Sequence, residues 1–230
     1  KHLLKRCLNS IENLDTNKST FEVIVVVDGS SDGTKEFLED YTQDSELDLK
    51  FIDQENSGPS VSRNNGIKNA KYEYIAFLDD DCIPDKNWLN DFKKDFPNDD
   101  NCAALGGKIE RYKNSLLSIY IDNFKPLEHI VNDGEVDYLV TANAVFKKRI
   151  LKDVDGFNTN FKHPGGEDPD LSWRIKKHGY YLSTTNNAIV KHDHRDSFKG
   201  IYKTMFSYGR AVSLLQQLNY KLEFKADRNY

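Results

Sequence analysis

The run FEVIVVV, residues 21 to 27, constrains the fold more than any other stretch of this chain. Val23, Ile24, Val25, Val26 and Val27 are all β-branched and favour an extended backbone. With no polar alternation, both faces of that strand need cover, which is the situation inside a parallel sheet. The turn DGSSDGT closes the strand and hands over to KEFLEDY, where Phe37, Leu38 and Tyr41 keep helical spacing.

The strand, turn and helix unit then recurs. LKFID reads as a short strand, SGPSVSRNNGIKNA as a turn with Pro59 at a helix start, and YIAFL as another buried strand. Alternation of this kind predicts parallel strands with crossover helices, hence an α/β fold with a Rossmann-like, mostly parallel sheet and flanking helices. Ahead of it, HLLKRCLNSI places Leu4, Cys7, Leu8 and Ile11 on one helical stripe.

After Pro84 the pattern loosens. DKNWLNDFKKDF predicts a helix capped by Asp85, CAALGGKI a strand broken by Gly106 and Gly107, and YLVTANAVFKK a strand of mixed polarity. DPDLSWRIKKHG opens with acids and closes on Lys176, Lys177, His178 and Gly179, as the helix dipole and C-cap preferences ask. Residues 197–218 read as a last helix. No linker or internal repeat divides the chain, so residues 1–230 form a single domain with an α/β first half and a mixed second half.

Composition narrows the partners. A formal net charge of −5, with 30% charged and 38% hydrophobic residues, fits a globular protein and argues against a general nucleic-acid binder. Cys7, Cys82 and Cys102 lie far apart without a CxxC pair, which suggests neither a zinc knuckle nor a disulfide framework and points to a reducing, cytoplasmic setting. No apolar run approaches the roughly 18 to 20 residues of a membrane span. The sequence opens on Lys1 and its single methionine is Met205, which reads as part of a longer product.

In open parallel sheets, ligands sit outside the carboxyl ends of the strands. Asp28, the GPSVSRNNG turn and Asp79, Asp80 and Asp81 all fall there, so we expect them to be neighbours. Adjacent carboxylates repel, and a divalent cation with oxygen ligands relieves that repulsion; a solvated turn accounts for the triplet equally simply. Alternation along an extended backbone would point Asp79 and Asp81 the same way. The DGSSDGT glycines suit any strand-to-helix turn.

Arg63 opposes the dipole of the helix it opens, which an anion or a plain surface ion pair would explain. Glu167 and Asp168 stand at a helix mouth behind two glycines, either as simple capping acids or as a loop presenting a general base. His192 and His194 follow a short strand with both rings expected on one face; one of them joining the aspartates around Mn²⁺ is a candidate arrangement.

Taken together and in order, FEVIVVVDGSSDGT, NSGPSVSRNNGIKNAKYEYIAFLDDDCIP, TANAVFKKRILKDVDGFNTNF and GGEDPDLSWRIKKHGYYL resemble the nucleotide-sugar glycosyltransferases of family 2, over about residues 1–195. The resemblance implies a GT-A fold, with residues 1–100 as the nucleotide-binding half, 101–195 as the acceptor and catalytic half, and 196–230 as a helical tail. It implies that Asp28 recognises the nucleotide base, with Arg63 as a second contact, and that Asp79 and Asp80 lie near the ribose. Asp81 would hold a divalent ion, Mn²⁺ or Mg²⁺, with Asp79 and His192 as further candidate ligands. Asp168 matches the catalytic base and Glu167 its companion; Gly106, Gly107 and Asn143 match sugar-pocket positions. The implied partners are a nucleoside-diphosphate sugar, with a UDP-sugar favoured, and a carbohydrate or lipid-linked acceptor.

Two features depart from the family pattern. Val27 stands where many relatives carry another acid. Relatives also begin with a central strand ahead of the helix matched by HLLKRCLNSI; either the sheet is completed some other way, or without that strand we expect open sheet edges and weak nucleotide binding. The tail, with Phe198, Ile201, Tyr202, Met205 and Phe206 beside Lys199, Lys203 and Arg210, reads as a helix that packs on the domain's own core, covers the acceptor site or rests on the inner face of a membrane. The leading reading is an inverting, metal-dependent transferase acting in cell-surface glycan synthesis. A sugar nucleotidyltransferase and a non-catalytic binding relative are the other classes.

Overall fold

The computed structural model describes residues 1–123, 128–132, 135–193 and 197–218. The chain opens with α1 (His2–Glu12), and β1 (Val23–Asp28), α2 (Thr34–Asp44), β2 (Leu49–Gln54), α3 (Pro59–Asn69) and β3 (Tyr74–Leu78) follow in the expected alternation. Next come β4 (Cys82–Pro84), α4 (Trp88–Asp95), β5 (Cys102–Arg111), α5 (Leu116–Asn123), β6 (Ile130–Asn132), β7 (Glu135–Tyr138) and β8 (Asn143–Lys147). The chain continues through α6 (Lys148–Asp153), α7 (Glu167–Lys177), β9 (Tyr181–His192) and α8 (Phe198–Gln217).

The fold is α/β, with a more mixed sheet than alternation alone suggests. β1 and β2 pair in parallel, as expected. The larger sheet runs β3-β8-β5-β9-β4, in which only β5 and β9 are parallel. β3 lies antiparallel to β8, and its other edge meets no strand among the described residues.

That edge and the free edge of β1 border one slot of about 1290 Å³, lined by Val23 to Val27 and Tyr74 to Leu78 together with Leu8, Trp88 and Phe92. Both edges are unpaired among the described residues. They also explain why Val23–Val26, read as buried on both faces, are only half-buried while Val27 is enclosed. One mouth of the slot reaches Asp28, Arg63, Asp79 and Asp80.

Leu4, Cys7, Leu8 and Ile11 bury the predicted stripe of α1 in the first core cluster with Val27, Leu38, Trp88, Phe92 and Val190. A second cluster, around Phe146, Phe157, Leu171 and Ile175, packs α6 and α7 on the mixed sheet. Three local expectations need correction. The cap of α4 is Asn87; Asp85 lends only its carbonyl, to Trp88 N. Gly106 and Gly107 do not break β5, which runs through them with a shifted register against β9. The stretch read as one strand from Tyr138 divides, with Thr141 and Ala142 in a turn ahead of β8.

Candidate active site

The loop before α7 is shaped by its glycines. Gly165 has φ 125°, a value other residues rarely adopt, and a Cβ there would strike the ring of Tyr208. This bend lets Gly165 N and Gly166 N both donate to Glu167 Oε2, at 2.7 and 3.0 Å. Glu167 is only 2% exposed, and its other oxygen accepts from Arg63 Nη1 at 2.7 Å. Its carboxylate is thus committed to holding the loop against α3.

Asp168 is differently placed. Thr141 N and Thr141 Oγ1 donate to its two oxygens at 3.1 and 2.8 Å, fixing the carboxyl's rotamer. Burial, reinforced by the neighbouring charge of Glu167, pushes its pKa up to about 7, against the pull of Arg63 and the Thr141 bonds. A carboxyl that exchanges its proton near neutrality has the profile of a general base. The Arg63 guanidinium lies 3.6 Å from Asp79 and 4.0 Å from Asp168 as well. Burial works against its charge, and Asp168, Asp79 and Glu167 hold it charged.

A second cluster forms where β4 meets the end of β9. The backbone turns at the aspartates, with Cys82 N bonded to Asp79 O, and β4 then pairs antiparallel with β9 so that Cys82 faces His192. His192 Nε2 comes within 3.2 Å of Asp81 Oδ1. The turn overturns the expectation that Asp79 and Asp81 point the same way: Asp79 lies against Arg63, and Asp81 against His192.

Among the described residues, Asp81, Cys82 and His192 form the group whose donor atoms lie within 4.8 Å of one another. Burial and the charges of Asp79 and Asp81 drive the Cys82 thiol far up, so it stays protonated and is a poor ligand. One carboxylate and one imidazole remain, a set that suits Mn²⁺ or Mg²⁺ when phosphate oxygens complete the shell. His194 lies outside the described residues.

The family model for glycosyl transferase family 2 matches residues 1–155. The chain belongs to glycosyl transferase family 2. It is 24% identical over 208 residues to a hyaluronan synthase of Pasteurella multocida, covering 75% of this chain and 21% of that protein. It is 30% identical over 207 residues to a poly-beta-1,6-N-acetyl-D-glucosamine synthase of Staphylococcus epidermidis, covering 81% of this chain and 48% of that protein. The chain thus spans half or less of the length of either relative. Among solved structures it is similar to a mannosyltransferase of Pyrobaculum calidifontis in complex with GDP-Man and Mn²⁺, with a TM-score of 0.73 and 18% identity. That match covers 96% of this chain and 61% of the other, and it establishes a GT-A fold.

Within this family 2 chain, the remaining expected site residues divide. Asp28 ends β1, and its carboxylate accepts from Ser57 N at 2.7 Å, Gly58 N at 2.9 Å and Gln54 Nε2 at 2.8 Å, pinning the turn into α3. Asp80 shares the slot mouth with Asp28, Asp79 and Arg63, as the sequence suggested.

The sugar-pocket positions have structural work instead. Asn143 is wholly enclosed; its amide donates to Lys108 O and Ala188 O at 2.9 Å and its oxygen accepts from Trp88 Nε1 at 2.8 Å. Gly107 lets Asn143 and the Ala188 carbonyl approach, and Gly106 lies under His129 and Leu139.

Sequence reasoning missed Thr141, His129 and Tyr208. His129 Nδ1 accepts from Val140 N at 3.0 Å, which leaves Nε2 to donate to Gly107 O at 2.7 Å. Burial lowers its pKa to about 4, so the ring is a neutral strut between β5 and the turn carrying Thr141. Tyr208 packs on Gly165, and its pKa is pushed up to about 12 by burial and by Asp168, Glu167 and Asp79. No pattern in the sequence ties a residue so far along the chain to that loop.

Proposed function

We propose that this chain is the transferase domain of an inverting, metal-dependent glycosyltransferase. It moves a sugar from a nucleoside-diphosphate sugar, with UDP-sugars favoured, to a hydroxyl of a carbohydrate or lipid-linked acceptor in polysaccharide or glycan synthesis. The observation that carries this reading is the pairing of two separate centres: the proton-exchanging carboxyl of Asp168 and the Asp81–His192 donor pair. The hyaluronan and poly-beta-1,6-N-acetyl-D-glucosamine synthases among its relatives, and the GDP-Man and Mn²⁺ held by the structural neighbour, support it.

In this mechanism Asp168 accepts the proton of the attacking hydroxyl. Thr141 aims the carboxylate, and Arg63 restrains its basicity so that it is ionised above neutrality. Glu167 keeps the loop seated and takes no proton. Attack from the Asp168 side, opposite the departing diphosphate, inverts the anomeric centre, by the same facial logic as inverting glycosidases. Asp81 and His192 would hold the divalent ion, whose chemistry is to offset the charge that grows on the diphosphate. Asp28, Asp79, Asp80 and Arg63 face the nucleoside from the slot mouth.

The test is a panel of nucleotide sugars with hydroxyl acceptors and Mn²⁺ or Mg²⁺, scored by release of nucleoside diphosphate and by the anomeric configuration of the product. Turnover lost to a chelator and to Asp81→Asn supports the reading. No turnover of any donor, or retention of configuration, sinks it, and pyrophosphate made from a sugar phosphate and a nucleoside triphosphate would reassign the chain.

A further inference from the structure

Helix α8 has two faces that do different things. Its inner face closes on the loop before α7: Ser207 Oγ donates to Pro164 O at 2.7 Å, Tyr208 packs on Gly165, Ala211 reaches Gly166, and Leu215 is buried. Its outer face is not consumed by the core. Phe198 is 82% exposed, Tyr202 70%, Phe206 58% and Met205 43%. At about 100° per residue, Phe198, Tyr202, Met205 and Phe206 form one stripe, roughly opposite the face that carries Ala211 and Leu215.

Three large exposed aromatics on successive turns are costly in water and rarely lie on a surface that meets only solvent. The charge beside them says what they meet. Lys199, Lys203 and Arg210 fall together on one flank of the stripe, and Phe198–Gln217 contains no acidic residue, whereas the whole chain carries −5. Tyrosine and phenylalanine beside snorkelling lysines is the chemistry of the boundary between lipid headgroups and acyl chains. No helix among the described residues is long and apolar enough to cross a membrane.

We propose that the outer face of α8 docks on an anionic lipid surface, with Phe198, Tyr202 and Phe206 entering the headgroup region and Lys199 and Lys203 meeting the lipid phosphates. Because the inner face of the same helix seats the loop from His163 to Asp168, docking places that loop directly over the surface. An acceptor carried on lipid then approaches from the side on which Asp168 lies. The docking itself does not depend on the transfer reading.

Co-sedimentation with vesicles tests it without any enzymatic readout. We expect partition onto phosphatidylcholine vesicles containing phosphatidylglycerol and little onto pure phosphatidylcholine. Lys199→Glu/Lys203→Glu should weaken the partition by at least about tenfold, since each basic group near an anionic surface contributes materially. Phe198→Ser/Tyr202→Ser/Phe206→Ser should weaken it comparably, with melting temperature as the control for folding. Absence of partition overturns the proposal, as does partition that neither set of substitutions reduces. A concentration-dependent dimer dissolved by the triple substitution, without vesicle binding, overturns it in favour of a second copy on this face.

Discussion

Arg63 Nη1 lies 2.7 Å from Glu167 Oε1, joining residues 104 apart in sequence and locking α3 to the mouth of α7. The same guanidinium faces Asp79 and Asp168, so one cation organises three acids. Arg63→Met would leave the buried Glu167 and the part-buried Asp168 without their counter-charge. Breaking a buried pair on one side typically costs about 3–5 kcal/mol. We expect a loss of that order in urea denaturation, and only partial recovery with Arg63→Lys, which cannot reach Asp79 and Glu167 as a fork. A loss below about 1 kcal/mol would mean that solvent already screens the clamp.

Asp168→Asn should abolish transfer and spare donor binding. Loss of the proposed general base would lower turnover by roughly 10² to 10⁴-fold and leave the proposed nucleotide contacts of Asp28, Asp79 and Asp80 in place. Steady-state turnover and calorimetric donor binding, measured on the same preparation, separate the two. Collapse of donor affinity would move Asp168 out of the role of base.

The raised pKa of Asp168 has a sign that can be checked twice. Turnover should climb with pH through about 7 as the carboxyl ionises. Stability should do the opposite. The folded protein keeps its proton on Asp168 at pH values where the unfolded chain, with a pKa of about 3.9, has released it. That contribution is whole below the unfolded value and declines as pH rises to about 7. Melting curves should therefore fall more steeply over this window in the parent than in Asp168→Asn, and parallel curves would show that the carboxyl titrates normally.

Mn²⁺ with UDP should raise the melting temperature, and Asp81→Asn or His192→Ala should cancel the increase. A ligand at 100 times its dissociation constant stabilises the native state by about 2.7 kcal/mol. A shift that survives both substitutions would place the ion elsewhere.

Asn143→Ala should damage the fold more than any donor contact. The substitution strands the enclosed Trp88 Nε1 and the carbonyls of Lys108 and Ala188. Unsatisfied buried groups cost about 1–3 kcal/mol each. Thermal denaturation reports the loss; a variant as stable as the parent, with a changed donor preference, would restore the sugar-pocket reading.

How much of this was legible in the sequence depended on range. The strand, turn and helix units, the stripe of α1 and the end of α7 were readable because local periodicity and capping chemistry set them. The proximity of Asp28, Arg63 and Asp79 followed from the rule that ligands gather at strand ends, whereas nothing in that rule brought the α7 loop to them. What failed was mostly non-local. Nothing near Tyr74–Leu78 says that its partner is β8, and the turn after Leu78, closed by Cys82 N on Asp79 O, redirected Asp81 to His192. Asn143 resembled a ligand-facing polar residue because its three partners, on α4, β5 and β9, are invisible along the chain.

The slot between β1 and β3 divides the fold into two sheets. Among the described residues, the outer edges of β1 and β3 border one apolar trough with no strand between them. An extended segment seated there would pair with both edges and join the two sheets into one.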